Sequence, residues 1–408
     1  MKCRHCDAPL TTSLIDLGSA PPSNAYLDED ALHKPEAWFP LRVLVCDACK
    51  LVQTEDFAAH DALFTPDYAY FSSFSSGWLK HSEKLAGMMI ERLGLDANSH
   101  VVEVASNDGY LLQFFKQAGI PNLGIEPTSS TASAARAKGI ETLERFFGVD
   151  CAKALADEGR SADLMVANNV LAHVPDINDF VAGFSILLKP GGVACFEFPH
   201  LLQLIQGRQF DTIYHEHFSY LSLLAVERIF AANGLKIFDA DQLPTHGGSL
   251  RIYACQAGET EREETNNVET IRSLERDAGV HEERFYTKLQ GQAEQIRDDL
   301  LSFLIEARAN GKKVVGYGAA AKGNTLLNFS GVRPDQVRYV VDLSHSKIGK
   351  YMPGSRIPIL EKSQLKIDRP DFILILPWNL QDEVVEQLRE FCHWDVQFIV
   401  AVPEMRVL

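Results

Sequence analysis

A chain of 408 residues exceeds what one ordinary hydrophobic core organises, so two or three domains are expected. With 46% hydrophobic and 23% charged residues it has a globular composition, and a formal net charge of -16 argues against nucleic acid or anionic membrane as partners, since both select basic surfaces. No apolar run approaches the roughly 20 residues of a membrane span, and the opening MKCRHCDAPL lacks the apolar stretch of a secretory signal, so a cytoplasmic protein is expected.

Cysteine placement defines the first element. Four of the eight cysteines fall early in the chain, as Cys3-x-x-Cys6 and Cys46-x-x-Cys49. Four thiolates close a tetrahedral shell, so a structural zinc with no open position is expected in a small module, residues 1–65, with few core formers. His5 sits inside the first knuckle as a competing donor, but four sulfurs already fill the shell.

From Trp78 to Leu93 the apolar residues follow helical spacing. Strands expected at His100–Ala105, Leu123–Glu126, Asp163–Ala167 and Val193–Phe198 then alternate with amphipathic segments. That rhythm belongs to a parallel sheet with helices on both faces, here residues 66–260. The stretch from Val101 to Leu112 is an apolar strand running into a small polar turn that opens a helix, and ligands bind outside the carboxyl ends of such strands. It lacks the G-x-G-x-x-G that cradles a pyrophosphate. Glu103 and Asp108 instead bring negative charge suited to a cationic ligand. The next strand ends in Gly124-Ile-Glu126-Pro127, where an acidic side chain can accept both hydroxyls of a ribose. Asn168, Asn169 and His173 lie at the mouth of the third strand, and the glycines of Leu187–Gly192 are expected at a helix C-cap.

Tyr214-His-Glu-His217-Phe-Ser-Tyr220 is dense in titratable groups. Carbon beside a carbonyl becomes a nucleophile only after losing a proton, which needs a base of near-neutral pKa and a donor to the enolate oxygen; His and Tyr fit those roles. Thr260–Arg308 is charged and reads as one or two long solvated helices. A second alternation follows at Lys313–Tyr317, Arg338–Val341, Phe372–Leu376 and Val396–Val400, giving a C-terminal α/β unit, residues 261–408. It opens with Gly316-x-Gly318-x-x-Ala321, with Asp342 about two dozen residues on, the pattern of a dinucleotide fingerprint or of a phosphate site at a helix N-terminus.

The four central segments together resemble a class I S-adenosylmethionine-dependent methyltransferase. The resemblance implies that Glu103, Ser106, Asn107 and Gly109 surround the methionine end of the cofactor. It also implies that Glu126, followed by Pro127, holds the ribose, that Asn168 and Asn169 flank the cofactor, and that Phe146 or Phe147 touches the adenine. With the cysteine module, the Y-H-E-H-F-S-Y-L run and the C-terminal G-Y-G-A-A-A-K-G-N-T-L-L, nearly the whole chain resembles the sugar C-methyltransferases of deoxysugar pathways. These act on nucleotide-diphosphate 4-keto-6-deoxysugars, commonly at C3′. The fold implied is α/β: a small N-terminal zinc module, a central Rossmann-like methyltransferase domain and a C-terminal Rossmann-like domain. The resemblance further implies His217 as general base, with His215 as its rival, and Tyr214 as enolate stabiliser. Glu216 would orient the sugar or the base, and Tyr68, Tyr70 and His173 would complete the pocket. Lys322 and Asn324 would lie near the diphosphate, with His246, Gly247 and Ser249 as a further wall; Ser344, His345 and Lys347 are weaker candidates. The alternatives are an O- or N-methyltransferase acting on a nucleotide sugar, or an NAD-dependent oxidoreductase using the C-terminal glycine turn.

Overall fold

A computed structural model describes residues 1–55 and 71–408, so Tyr68 and Tyr70 lie outside the described residues. Three sheets organise the described chain. The central one has seven strands in the order Leu235–Leu243, Ser249–Gln256, Leu188–Pro199, Ala162–Asn168, Val101–Val104, Asn122–Ile125, Thr142–Leu143. Its last five strands in that order pair in parallel, with helices as crossovers, and their unbroken apolar runs are those of strands covered on both faces. The first two strands form an antiparallel hairpin that joins the sheet antiparallel at its edge, a departure from the all-parallel expectation. A second departure concerns Gly191 and Gly192. The helix Ile177–Leu187 is capped by Leu188, and both glycines fall inside the following strand.

The C-terminal sheet has six strands in the order Ile359–Glu361, Val340–Asp342, Val314–Tyr317, Phe372–Ile375, Gln397–Val400, Arg406–Val407, parallel except for the last pair. Between the two sheets run the helices Asn266–Ala278, Glu283–Tyr286 and Leu289–Ala309. The last is charged outside but buries Leu289, Ala293, Ile296, Leu300 and Leu304 in one stripe. Among the described residues no helix is long and apolar enough to cross a membrane.

The N-terminal module corrects the expectation of few core formers. Thr12–Ala20, Phe39–Val45 and Val52–Thr54 form an antiparallel sheet completed by Ser219–Tyr220, the strand that directly follows His217 and Phe218. Leu14, Ile15, Leu17, Leu41 and Val43 are buried in the same core as Leu300, Leu326, Val340 and Ile399 of the C-terminal half. The first and last parts of the chain thus share a core, and the run Tyr214–Tyr220 is sewn to the first by backbone pairing.

Candidate active site

The strand Val101–Val104 ends in a turn whose Ala105, Asn107 and Gly109 take φ of 56°, 49° and 75°, reversing the chain into the helix Leu112–Gln117. Glycine is required at two close approaches. A Cβ on Gly109 would stand 2.4 Å from Ile140 Cδ1, and one on Gly124 2.4 Å from Ser106 Oγ. The Glu126 carboxylate accepts the backbone N–H of Asn107 and of Thr128, each at 2.9 Å, which fixes it at the strand end with lone pairs to spare. Around it, both oxygens of Glu103, Ser106 Oγ, Asp108 Oδ1, Asn168 Oδ1 and Asn169 Oδ1 are buried without a hydrogen-bond partner among the described residues. Buried polar atoms are rarely left so, and this concentration at strand ends fits a polar ligand. Burial drives the Glu103 carboxyl well above its ordinary range; the neighbouring Tyr110 phenol opposes this without a well-formed hydrogen bond, and the like charges of Glu126 and Asp108 add to it. A cation in the turn would reverse that penalty. Of the two phenylalanines, Phe147 is committed to edge contacts with Phe180 and Phe184, at 5.7 and 5.1 Å, whereas Phe146 is 56% exposed.

The mouth of this sheet leads to the titratable run. His173 ends the short turn Leu171–His173, and its ring lies 4.6 Å from that of His217. Tyr214 is 3.9 Å from His217 on another side. His217 Nδ1 is 2.8 Å from the carbonyl of Thr212. A carbonyl only accepts, so Nδ1 carries the proton and Nε2 keeps its lone pair. Burial first, then the neighbouring His173 imidazole, drives this imidazole well below its ordinary pKa. The backbone is pinned as well, with Thr54 Oγ1 donating to the carbonyl of His217 at 3.1 Å and the N–H of Phe218 to the carbonyl of Ala172 at 2.8 Å.

His215 turns the other way. Its Nε2 meets the carbonyls of Phe39 and Pro40 at 3.3 and 3.2 Å, a tie to the N-terminal sheet. Glu216 is buried, which pushes its carboxyl up to about 7, and Asn24 Nδ2 donates to both its oxygens at 2.8 and 2.9 Å.

Lys322, from the first turn of the helix Ala321–Phe329, stands close enough for its charge to act on both His217 and His246, and these three side chains define the candidate cleft. His246 Nε2 is 3.3 Å from Asn169 Nδ2, and its ring is 5.4 Å from Trp78. Although solvent-facing, the His246 imidazole is hemmed in by protein, which lowers its pKa. Gly247 abuts Trp378 and Gln209. Two expected residues point elsewhere. Asn324 is 1% exposed and donates to the carbonyl of Ser23 at 2.6 Å, and Ser249 is 1% exposed and donates to the carbonyl of Thr245 at 3.0 Å. Both side chains stabilise local packing rather than the cleft wall. Ser344 and His345 lie at the C-terminal turn, where Lys347 Nζ donates to the carbonyl of Ala319 at 2.8 Å.

Several residues were missed by sequence reasoning. Asn24, two residues after Pro22, lies in no motif that marks it. The fully buried Glu197 accepts from Arg251, His81 and Thr245 at 2.7, 2.8 and 2.9 Å, and His81 stacks on Trp78 at 4.9 Å. Trp78 and His81, three apart at the start of a helix, carried the signal of a shared helix face.

The four N-terminal thiols lie within 4.8 Å of one another, with Cys3–Cys49 and Cys6–Cys46 sulfurs at 3.5 Å. Ligands at zinc–thiolate distance in a tetrahedron stand about 3.8 Å apart, so the donor set fits zinc. His5 is not among these donors; its Nδ1 meets Asn178 Oδ1 at 2.8 Å.

Family models match along the chain: a zinc binding domain over residues 3–64, a methyltransferase domain over 78–240 and a C-methyltransferase C-terminal domain over 244–403. The C-methyltransferase NovU of Streptomyces niveus is 35% identical over 407 residues, covering 100% of this chain and 96% of the relative. The ubiquinone biosynthesis O-methyltransferase of Bordetella avium is 28% identical over 120 residues, covering 29% of this chain and 47% of that protein. Among solved structures, the magnesium protoporphyrin IX methyltransferase of Synechocystis PCC 6803 is 14% identical with a TM-score of 0.34, over 44% of this chain and 80% of that one. The chain belongs to the C-methyltransferase family that joins a zinc-binding module to a class I methyltransferase domain. It is an S-adenosylmethionine-dependent enzyme that forms a carbon–carbon bond.

Proposed function

We propose that the enzyme acts in the cytoplasm on a nucleotide-diphosphate-linked 4-keto-6-deoxysugar and methylates C3′, with residues 1–65, 66–260 and 261–408 as working units. The observation that carries this reading is the His217 imidazole, whose proton is held on Nδ1 by Thr212 while Nε2 stays available between Tyr214 and His173. S-adenosylmethionine supplies an electrophilic methyl group when bound. Glu126 would accept its ribose hydroxyls, with Pro127 beside it. Glu103, Ser106, Asn107 and Gly109 would line its methionine end, Asn168 and Asn169 its flank, and the exposed Phe146 its adenine. His217 Nε2 would take the proton from the carbon beside the sugar ketone. The Tyr214 hydroxyl would donate to the oxygen that gains charge, with His173 closing the pocket. Glu216, held by Asn24, would position the sugar, and Lys322 would bring positive charge to the diphosphate. The sugar assignment rests on the resemblance of the ordered motifs to sugar C-methyltransferases and on this cation beside the base.

A panel of thymidine- and guanosine-diphosphate 4-keto-6-deoxysugars offered with isotopically labelled cofactor tests the proposal, with the label located by NMR. A methyl on C3′ is expected. A methyl on C5′, or acceptance of none of the sugars, contradicts it.

A further inference from the structure

We propose that Asp211, Trp378 and Asn379 form a mount that holds the Lys322 ammonium in the cleft shared by His217 and His246, where it meets the substrate diphosphate; the inference rests on the nucleotide-sugar reading above. The parts come from two domains. Asp211 lies on the turn Phe210–Thr212, one residue before the carbonyl that fixes the His217 tautomer, and is fully buried. Its Oδ2 accepts the indole N–H of Trp378 at 2.7 Å, while its Oδ1 is buried with no hydrogen-bond partner among the described residues. A buried carboxylate with one neutral side-chain donor is costly unless a counter-charge stands nearby.

Lys322 supplies that charge. Its Nζ donates to Asn379 Oδ1 at 2.7 Å and lies 4.6 Å from the centroid of the same Trp378 ring. One indole therefore donates to the carboxylate through its N–H and receives the ammonium on its face. The ring edge also sets the neighbouring wall, since a Cβ on Gly247 would stand 2.7 Å from Trp378 Cη2. Burial raises the Asp211 carboxyl to about 6 against the pull of Lys322 and Trp378, and lowers the Lys322 ammonium against the pull of Asp211. The opposite charge of each counters the shift that burial imposes on the other. Among the described residues, the titratable groups facing Lys322 are Asp211, His217 from the run that follows it, and His246 from the Thr245–Gly247 loop; its other neighbours Trp378 and Asn379 are neutral. A free lysine loses much rotamer entropy on gripping an anion, and a mounted one has already lost it. Asp211 and Trp378 are positioning residues in this account, and Lys322 is the group that touches substrate.

Binding of thymidine diphosphate and guanosine diphosphate to the full chain, measured calorimetrically from neutral to alkaline pH, tests the mount. Lys322→Met should weaken the bound nucleotide roughly tenfold or more. Asp211→Asn keeps an acceptor for the indole but removes the charge, so Lys322 should deprotonate more readily. The alkaline loss of binding should then move down by about one pH unit relative to the unaltered chain. Asp211→Glu should restore it, and S-adenosylmethionine affinity should stay constant throughout. If Asp211→Asn fails to fold, Trp378→Phe, which removes the indole N–H donor to Asp211 and shrinks the ring beneath the ammonium, must move the alkaline limb in the same direction. Weak binding by Lys322→Met with an unmoved limb in Asp211→Asn or Trp378→Phe overturns the mount alone. Failure of both nucleotides to bind the unaltered chain overturns the substrate reading beneath it.

Discussion

The central and C-terminal domains build the same turn, and only one of them leaves it open. In the first, Glu126 at the end of the second strand accepts the N–H of Asn107 in the turn and of Thr128 two residues on. In the second, Asp342 accepts the N–H of Ala319 in the turn and of Ser344 two residues on, at 2.7 and 2.8 Å. The backbone logic is identical. What differs is the contents of the mouth. Around Glu126 the polar atoms of Glu103, Ser106 and Asn168 are buried and unmatched among the described residues. Beside Asp342, by contrast, the Ala319 carbonyl receives Tyr26 Oη at 2.6 Å and Lys347 Nζ at 2.8 Å, and that ammonium lies 5.3 Å from the Tyr26 ring centroid. Side chains of the protein itself thus hold the carbonyl of this turn. A glycine turn with an acid beyond it thus serves here as a docking surface for Tyr26 of the N-terminal module, and membership of the C-methyltransferase family tells against the oxidoreductase alternative.

The comparison can be broken most severely at the histidines. His217→Ala should cost about 10²–10⁴-fold in turnover with cofactor affinity unchanged, while His345→Ala beside the filled turn should leave turnover intact; radiolabelled methyl transfer and calorimetry read the two. The acids sharpen the contrast. Glu126→Ala should weaken S-adenosylmethionine binding roughly tenfold or more, and Asp342→Asn should not change it. Equal effects would mean that the turns are not functionally distinct. A pH profile is the next test. Because His217 is held well below 6.5, the acid limb of kcat/KM should fall below that value, protonated imidazole being unable to accept a proton. Asn24→Ala removes the hydrogen bonds that lower the Glu216 carboxyl, so any limb near 7 should move up, not down. The smallest effect is expected at the filled turn itself, where Tyr26→Phe should lose ~1 kcal/mol in urea unfolding without altering cofactor affinity.

Much of the fold was legible because strands buried on both faces are written as short apolar runs. Each of the eight expected in the two α/β domains has its counterpart, as with His100–Ala105 against Val101–Val104. The N-terminal sheet was not legible for a physical reason. In Thr12–Ala20 the pairing shifts register between Ser13 and Ile15 and again between Asp16 and Ser19, which scrambles the period-two pattern that marks a half-buried strand. The core it shares with the C-terminal half leaves no local trace either. Four cysteine sulfurs could be grouped from spacing alone, but which of His215 and His217 faces the cleft depends on Thr212 and Phe39, and no periodicity encodes that. Asn24 and Glu216 are 192 positions apart, and their contact exists only through the fold.

The central claim is that His217 removes a proton from carbon beside a ketone. Exchange into the sugar nucleotide in deuterated water, with S-adenosylhomocysteine in place of the methyl donor, measures that step without the transfer that follows. Deuterium should enter the carbon that later carries the methyl group, and entry should vanish in His217→Ala. Methylation proceeding normally while that carbon never exchanges, or exchange surviving undiminished in His217→Ala, would contradict the account.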